Sequence, residues 1–580
     1  MYILGLNAFH GDSAACLYKD DKLVAAIEEE RLRRVKHWAG FPVEAIKTCL
    51  KEAGIQITDV DHITISRNPS AKLFNKITHT LKKMHNLSNL LDRVKNSNKV
   101  ISVKDILAKE FNVDKNRIKA EIHNIEHHRA HMASAFFVSP FEEAAVLSID
   151  GFGDFTSTMV GYGKGNDIKV LDSVTFPHSL GIFYTAFTQY LGFSKYGDEY
   201  KVMGLAPYGE PKYVEKVKDV VKLTDDGLFK LNQKYFLHSK SGVSMTWENG
   251  YPNIERIFSD YMIEKFGAVR KKDEKIEKYH MDLAASVQKV TEITIFHILN
   301  HLQKTTGSEN LCIAGGVGQN SVANGKIYLN TKFKNVYLPP AATDAGTAIG
   351  SALWLKHQIN KEKRLKQPML NADTGNSFND EQIIEELKKQ NLSVVKKTDN
   401  EIYDIVSDKL IDAGVVGWFK GGSEFGPRAL GYRSILADPR RADAKEILNI
   451  KIKKREKFRP FAPSILNEYV DEYFEQSQDV PFMEKVYRIK EEKRKIIPAV
   501  THVDGSGRLQ SVHKEINPKY HALISKFYDK TGVPIVLNTS FNENEPIVNT
   551  PKEAIATFLR TKMDLLILEN FVVERIKNEA

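Results

Sequence analysis

Apolar runs alternate with short polar turns at the start of the chain. YILGLNAF reads as a buried strand closing on the turn HGDS. AACLYK is a second strand and KLVAAIEE, after the turn DD, a third. The order returns between residues 144 and 174: AAVLSID ends in GFGD, TSTMVGYG follows, and IKVLDSV lies beyond the turn GKGND. Two copies of strand, acidic turn, strand, hairpin, strand, separated by helical sequence, predict a duplicated α/β unit. Its two tight turns should face each other across a cleft. Further on, LCIAGGVGQNSVANGK at 311–326 predicts a buried strand, a glycine turn and a helix beginning near Ser321. Backbone without Cβ can approach a phosphate and aim its N–H groups at it, and a helix start adds to that attraction. The plainer reading is glycine serving strand-to-helix packing.

A chain of 580 residues exceeds one ordinary domain and predicts two or three units, each with its own core. Hydrophobic residues at 42% and charged residues at 27% describe a soluble globular protein. No basic leader precedes a long apolar run, and LLILENFVV near the end is short and interrupted, so the cytoplasm is the expected compartment and no membrane partner is expected. Cys16, Cys49 and Cys312 are far apart and lack metal-ligand spacing, which predicts reduced thiols in the core. The net charge of +9 suits an anionic substrate or simple solubility. Its densest pieces lie around 72–99, expected to be a solvated helical insertion, and in KIKKREKFRPF at 451–461.

IEHHRAHMASAFF at 125–137 places three histidines within five residues. On a helix His127 and His131 stand at i and i+4 and project from one face, as two imidazoles must to bind one metal ion, while His128 points elsewhere. A zinc protease would carry glutamate after the first histidine; here that position is His128.

HGDSAA, EHHRAHMASAF, DGFGD, YKVMGLAPYG, GGVGQN and PPAATDAGTAIGSA, followed by SEFGPRALGYRSILADPR, KFRPFAPS, PAVTHVDGSGRLQSV and LNTSFNENEPIVNTP, resemble the O-carbamoyltransferases that modify nodulation factors, cephamycins and aminoglycosides. The resemblance covers nearly the whole chain apart from the insertion around 68–120 and the linker around 358–400. It implies a duplicated, Kae1-like domain of the actin-like ATPase fold at 1–360, close to the universal tRNA threonylcarbamoyl-transferring protein. A YrdC-like α/β domain that makes carbamoyl adenylate would follow at 375–580.

What the resemblance implies about sites follows block by block. Asp344, in PPAATDAG, would complete a metal site with His127 and His131; that donor set suits Fe(II), with Zn(II) and Mn(II) as alternatives. His10 and Asp12 would orient the acceptor or take its proton, although Gly11 sets His10 one position earlier than in many relatives. DGFGD and GGVGQN, with Gly151, Gly153, Gly315, Gly316 and Asn320, would hold nucleotide. Glu199 and Lys201 would border the acceptor pocket.

The carboxyl-terminal blocks carry Arg428, Arg433, Lys453, Arg455 and Arg459 between Pro, Phe and Ala, a setting for a small, highly charged anion in preference to a nucleic-acid surface. Relatives imply that Lys453 and Arg455 face Ser540 and Asn542 across one groove, with Arg508 in the anion pocket. Where relatives often have arginine this chain has Gly422, leaving Lys420 or another base to substitute, or ATP to bind more weakly.

The expected reaction consumes carbamoyl phosphate and ATP with Mg, forms carbamoyl adenylate, and carbamoylates a hydroxyl of a natural product or sugar. Two other readings remain: threonylcarbamoyl transfer to tRNA, with the 72–99 insertion as docking arm, and a non-catalytic nucleotide-binding assembly protein. The acceptor and the oligomeric state stay open, a homodimer included.

Overall fold

The computed structural model describes residues 1–72, 102–239, 245–360, 364, 366–456 and 458–575. The basic insertion expected around 72–99 lies, apart from Lys72, outside the described residues.

The duplication read from the alternation is present in the strand order. β1 (Tyr2–Asn7), β2 (Ala14–Lys19), β3 (Lys22–Glu28), β4 (His62–Ile65) and β5 (Glu121–Asn124) form one sheet in the order β3-β2-β1-β4-β5. β6 (Glu143–Gly153), β7 (Thr156–Lys164), β8 (Asp167–Thr175), β9 (Asn310–Ala314) and β10 (Asn335–Tyr337) repeat it as β8-β7-β6-β9-β10. In each sheet the first strand runs antiparallel to the second and the second to the third. The first then runs parallel to the fourth, and the fourth to the fifth. β1 beyond Tyr2 and the stretch 144–149 of β6 are buried because helices cover them, which is why they read as continuous apolar runs.

Helices α1 (His127–Phe136) and α2 (Thr347–Ile359) pack between these sheets. Small residues permit it. A Cβ on Gly350 would stand 1.8 Å from the Ala130 carbonyl oxygen, and one on Gly5 2.2 Å from that of Ala348. The block GTAIGSA therefore lays α2 flush against both α1 and β1.

The third sheet has its own core around Trp418, Ile435, Leu537 and Leu566. Its strands are β11 (Val395–Lys396), β12 (Val416–Phe419), β13 (Arg433–Ala437), β14 (Ala462–Leu466), β15 (Lys485–Arg488), β16 (Ser506–Val512), β17 (Ile535–Ser540), β18 (Leu565–Leu568) and β19 (Phe571–Glu574). They lie in the order β11-β19-β18-β12-β13-β17-β14-β16-β15. The segment before it ties the sheets together: the Ala26 N–H of β3 donates to the Thr374 carbonyl, the Thr374 hydroxyl donates to the Ala26 carbonyl, and the Phe425 N–H donates to the Ala372 carbonyl. The Glu28 carboxylate accepts from the Gly426 N–H at 2.6 Å, and Arg31 donates to the Gly426 carbonyl at 2.5 Å. The loop FGPR is thus pinned to the end of β3.

The helix start expected near Ser321 is present. The helix beginning at Ser321 is a single turn, Ser321–Asn324. A Cβ on Gly325 would stand 1.9 Å from the Val486 carbonyl oxygen, so the backbone of β15 occupies the path a longer helix would take. Cys16, Cys49 and Cys312 are free and buried, and burial pushes the Cys312 thiol up to about 12. Among the described residues no helix is long and apolar enough to cross a membrane.

Candidate active site

α1 begins where Glu126 caps the N–H groups of His128 and Arg129 and Asp154 accepts from the His127 N–H at 3.0 Å. That start fixes the rotation of the helix and turns His127 and His131 toward the end of β6. α2, held against α1 by Gly350, brings Asp344 to the same point. The nitrogens His127 Nε2 and His131 Nε2 are 3.1 Å apart. His131 Nε2 lies 3.2 Å from both Asp150 Oδ2 and Asp344 Oδ1; from His127 Nε2 these oxygens lie at 3.6 and 3.3 Å. Donors bound to one ion at about 2.0–2.2 Å stand roughly 2.8–3.6 Å from each other, so all five distances fit one divalent cation. His127 Nδ1 faces the Ser66 carbonyl at 3.1 Å, and a proton there leaves Nε2 free to ligate. Burial lowers the basicity of His127, yet Asp150 and Asp344 together push it well above its ordinary value: the pocket is built for positive charge.

His128 turns away as expected. Its ring bridges Ser148 Oγ at 2.8 Å and the Thr156 carbonyl at 3.0 Å, and burial, reinforced by His127 and His131, holds it well below the usual imidazole range.

Asp150 is the member of this cluster that the sequence does not announce. In the sequence it opens a glycine turn, whereas in the structure the strand β6 delivers its carboxylate into the cluster. The internal duplication carried a signal for it, since the corresponding turn of the first half also contributes side chains here. His10 Nδ1 lies 2.5 Å from Asp344 Oδ2, and Nε2 lies 3.3 Å from the Phe152 carbonyl. Asp12 goes elsewhere. Its Oδ1 meets His37 Nδ1 at 2.7 Å, and Glu30 accepts from the His37 N–H at 2.8 Å. Burial opposes it, but Asp12 and Glu30 push the His37 imidazole up to about 9.

The glycines divide. Gly151 and Gly316 border the cavity described below. Gly153 and Gly315 do not, contrary to expectation: a Cβ on Gly153 would stand 2.0 Å from the His127 ring and one on Gly315 2.1 Å from the Ile149 carbonyl oxygen. Both serve close packing. Asn320 borders the cavity, but its side chain is held by Gln288 at 3.0 Å and caps the Ala323 N–H. Glu199 also borders it, accepting from Thr185 Oγ1 at 2.6 Å. Lys201 instead pairs with Asp198 and Glu456 at 3.0 and 3.2 Å.

The second cluster comes from the third sheet. A π-helical turn, Leu448–Lys453, followed by left-handed Lys454, drives the Lys453 ammonium under the end of β17. There it donates to the Ser540 carbonyl at 2.5 Å, the Asn542 carbonyl at 2.8 Å and Asn542 Oδ1 at 2.7 Å. The expected Lys453, Ser540 and Asn542 constellation is therefore assembled, with Ser540 and Asn542 on the cavity wall and Lys453 behind them. Burial, then the charges of Arg455 and Arg459, hold Lys453 well below the usual lysine range.

Arg428, Arg455, Arg459 and Arg508 share that wall. Arg459 has Glu456 at 3.4 Å and stacks on Tyr200; Arg455 donates to Asn449 at 2.8 Å and stacks on Phe461. Arg455 Nη2 and Arg508 Nε are buried without hydrogen-bond partners. Burial and then mutual repulsion bring Arg455 down to about 9 and Arg508 well below the usual arginine range, while burial brings Arg428 down to about 10. Such uncompensated positive charge is a site for a multiply charged anion. Arg433 is not part of it. Its guanidinium lies buried against the Phe419 ring at 3.5 Å and donates to the carbonyls of Lys420, Tyr432 and Asn376. Lys420, the suggested substitute for an arginine at Gly422, pairs with Asp399 at 2.5 Å and does not reach the cavity.

One cavity of about 1320 Å³ is lined by both clusters: His10, Asp150 and Asp344 from the first two sheets and their flanking turns, and Arg428, Arg455, Arg508, Ser540 and Asn542 from the third.

Comparison with known proteins agrees with this two-part construction. Residues 2–353 match the family model of the carbamoyltransferase N-terminus, and residues 407–575 that of the carbamoyltransferase C-terminus. An uncharacterized protein of Synechocystis sp. is 42% identical across 99% of this chain and 97% of its own. Nodulation protein NolNO of Sinorhizobium fredii is 38% identical over 98% of this chain and 80% of its own length. Nodulation protein NolO of Bradyrhizobium diazoefficiens is 40% identical over 78% of this chain and 79% of its own. The two matched models together span both the histidine–aspartate cluster and the arginine wall, and the chain belongs to the carbamoyltransferase family.

Proposed function

We propose that the chain is an ATP-dependent O-carbamoyltransferase that makes carbamoyl adenylate against the arginine wall and spends it at the histidine–aspartate cluster. The observation that carries this reading is the single cavity bounded by both clusters. Carbamoyl adenylate hydrolyses in water, and a cavity shared by both clusters shortens its path through solvent between two steps. The repeated strand order of the first two sheets supports an actin-like, Kae1-like fold for the amino-terminal part. The third sheet, with Lys453 set behind Ser540 and Asn542, supports a YrdC-like role for the rest.

In this account Arg428, Arg455, Arg459 and Arg508 hold carbamoyl phosphate and the phosphates of Mg-ATP. Carbamate attacks the α-phosphorus, pyrophosphate leaves, and carbamoyl adenylate results. Lys453 fixes Ser540 and Asn542 so that their polar atoms meet the nucleotide in one orientation. Across the cavity the acceptor hydroxyl attacks the carbamoyl carbon and AMP departs. His10, braced by Asp344 and the Phe152 carbonyl, stands where it can orient that hydroxyl. Gly316, whose N–H donates to Asp150 at 3.0 Å, and Gly151 line the leaving side. His127, His131, Asp150 and Asp344 would hold Fe(II) or another divalent ion, which supplies Lewis-acid polarisation of the carbonyl when bound. The acceptor is a hydroxyl-bearing small molecule.

The test is pyrophosphate release from ATP. The reading requires release that depends on carbamoyl phosphate and needs no acceptor; release independent of carbamoyl phosphate, with no carbamoylated product from any hydroxyl acceptor, would sink it.

A further inference from the structure

His502 belongs to no site described above. It lies in the turn His502–Ser506 that leads into β16, two residues before Arg508 takes its place on the arginine wall. The His502 N–H donates to the Ser506 carbonyl at 2.8 Å and the Gly505 N–H returns a bond to the His502 carbonyl at 2.9 Å, closing the turn. Asp504 accepts from the Ser506 N–H and hydroxyl at 3.1 and 2.6 Å, which sets its Oδ1 3.6 Å from His502 Nδ1. The Tyr208 ring packs edge-on against the imidazole, with centroids 5.5 Å apart. The residue is 7% exposed and borders the cavity, and its Nε2 is buried without a hydrogen-bond partner. A buried imidazole with a carboxylate beside one nitrogen and no partner on the other keeps one nitrogen uncommitted, as a proton carrier needs.

We propose that His502 carries the proton in the hydrolysis of carbamoyl phosphate on the arginine wall, with Asp504 as its positioning residue. This rests on the reading given under Proposed function. As water oxygen bonds to the carbamoyl carbon, His502 Nε2 takes one water proton. As the bond from that carbon to the bridging oxygen breaks, the proton passes to the departing phosphate. The products are hydrogen phosphate and carbamic acid, and the second water proton leaves when carbamic acid ionises to carbamate. Atoms and charge balance without a further reactant. The arginines supply charge but cannot serve this purpose, because a guanidinium remains protonated through the step.

Ammonium carbamate bypasses hydrolysis, and this gives the test. Wild type, His502→Asn and His502→Gln are compared for phosphate release from carbamoyl phosphate, and for pyrophosphate release from ATP with ammonium carbamate. The expected result is a loss of about 100-fold or more in the kcat of phosphate release in both variants, with KM for carbamoyl phosphate and carbamate-driven pyrophosphate release close to wild type. Phosphate release close to wild type in the variants would overturn the proposal. So would equal loss of both activities, which would mark His502 as structural or as part of adenylation. If wild type releases no pyrophosphate with either substrate, the adenylate reading itself fails and the proposal falls with it.

Discussion

His131 Nε2 lies 3.2 Å from Asp344 Oδ1 although 213 positions separate the two residues, and the absence of a methyl group at Gly350 makes the meeting possible. With the Ala130 carbonyl oxygen 1.8 Å from where a Cβ would stand, any larger residue forces α1 and α2 apart. Gly350→Val should cost about 2–3 kcal/mol or more of stability in denaturant unfolding and weaken metal binding with it. Wild-type stability in that variant would show that the contact does not set the site.

Asp150→Asn keeps the size of the side chain and removes its charge. Its expected effect is a loss of roughly 10-fold or more in affinity for a divalent metal, read by competition with a chelating dye. Carbamate-driven pyrophosphate release should persist, because the arginine wall is untouched. Unchanged metal affinity would remove Asp150 from the donor set.

The arginine wall is held together at a cost. Arg508 faces the charges of Arg428, Arg455 and Arg459, so Arg508→Gln should raise the melting temperature by roughly 2 °C, and pyrophosphate should stabilise the wild type but not the variant. A lower melting temperature with pyrophosphate stabilisation retained would mean that Arg508 serves the fold and not the anion.

The His37–Asp12 pair gives a pH dependence of defined sign. Its folded value of about 9 lies above the free imidazole value near 6.5, so the charged form is favoured by folding. The contribution is complete below about 6.5, declines as pH rises, and is gone once pH passes about 9. The difference in unfolding free energy between wild type and His37→Gln should shrink over that window, and a difference that is constant with pH contradicts the pairing.

Much of this was legible in the sequence because it depended on local pattern. The two strand–turn–strand–hairpin–strand repeats announced themselves by alternation, and the His127 and His131 spacing fixed one face of one helix turn. What the sequence concealed depended on where distant backbones meet. Asp150 was hidden among glycines whose presence had a simpler explanation. Arg433 carries the same charge as Arg428 five positions earlier, yet the strand pleat turns it onto Phe419 and away from the wall. The predicted helix at Ser321 stops after one turn because β15, more than 150 positions later in the chain, lies in its path. His502 lies in the quoted block PAVTHVDGSGRLQSV, but nothing there singles it out, since a histidine in a tight turn is ordinary until a cavity opens beside it.

The most direct measurement is mass spectrometry of the protein mixed with Mg-ATP and carbamoyl phosphate in the absence of any acceptor, with Lys453→Ala alongside. The account predicts carbamoyl adenylate, or AMP and pyrophosphate from its breakdown, in the wild type, and a loss of about 100-fold or more in the variant, whose Ser540 and Asn542 no longer share an organising cation. Intact ATP in the wild type, or equal product from both proteins, would contradict it.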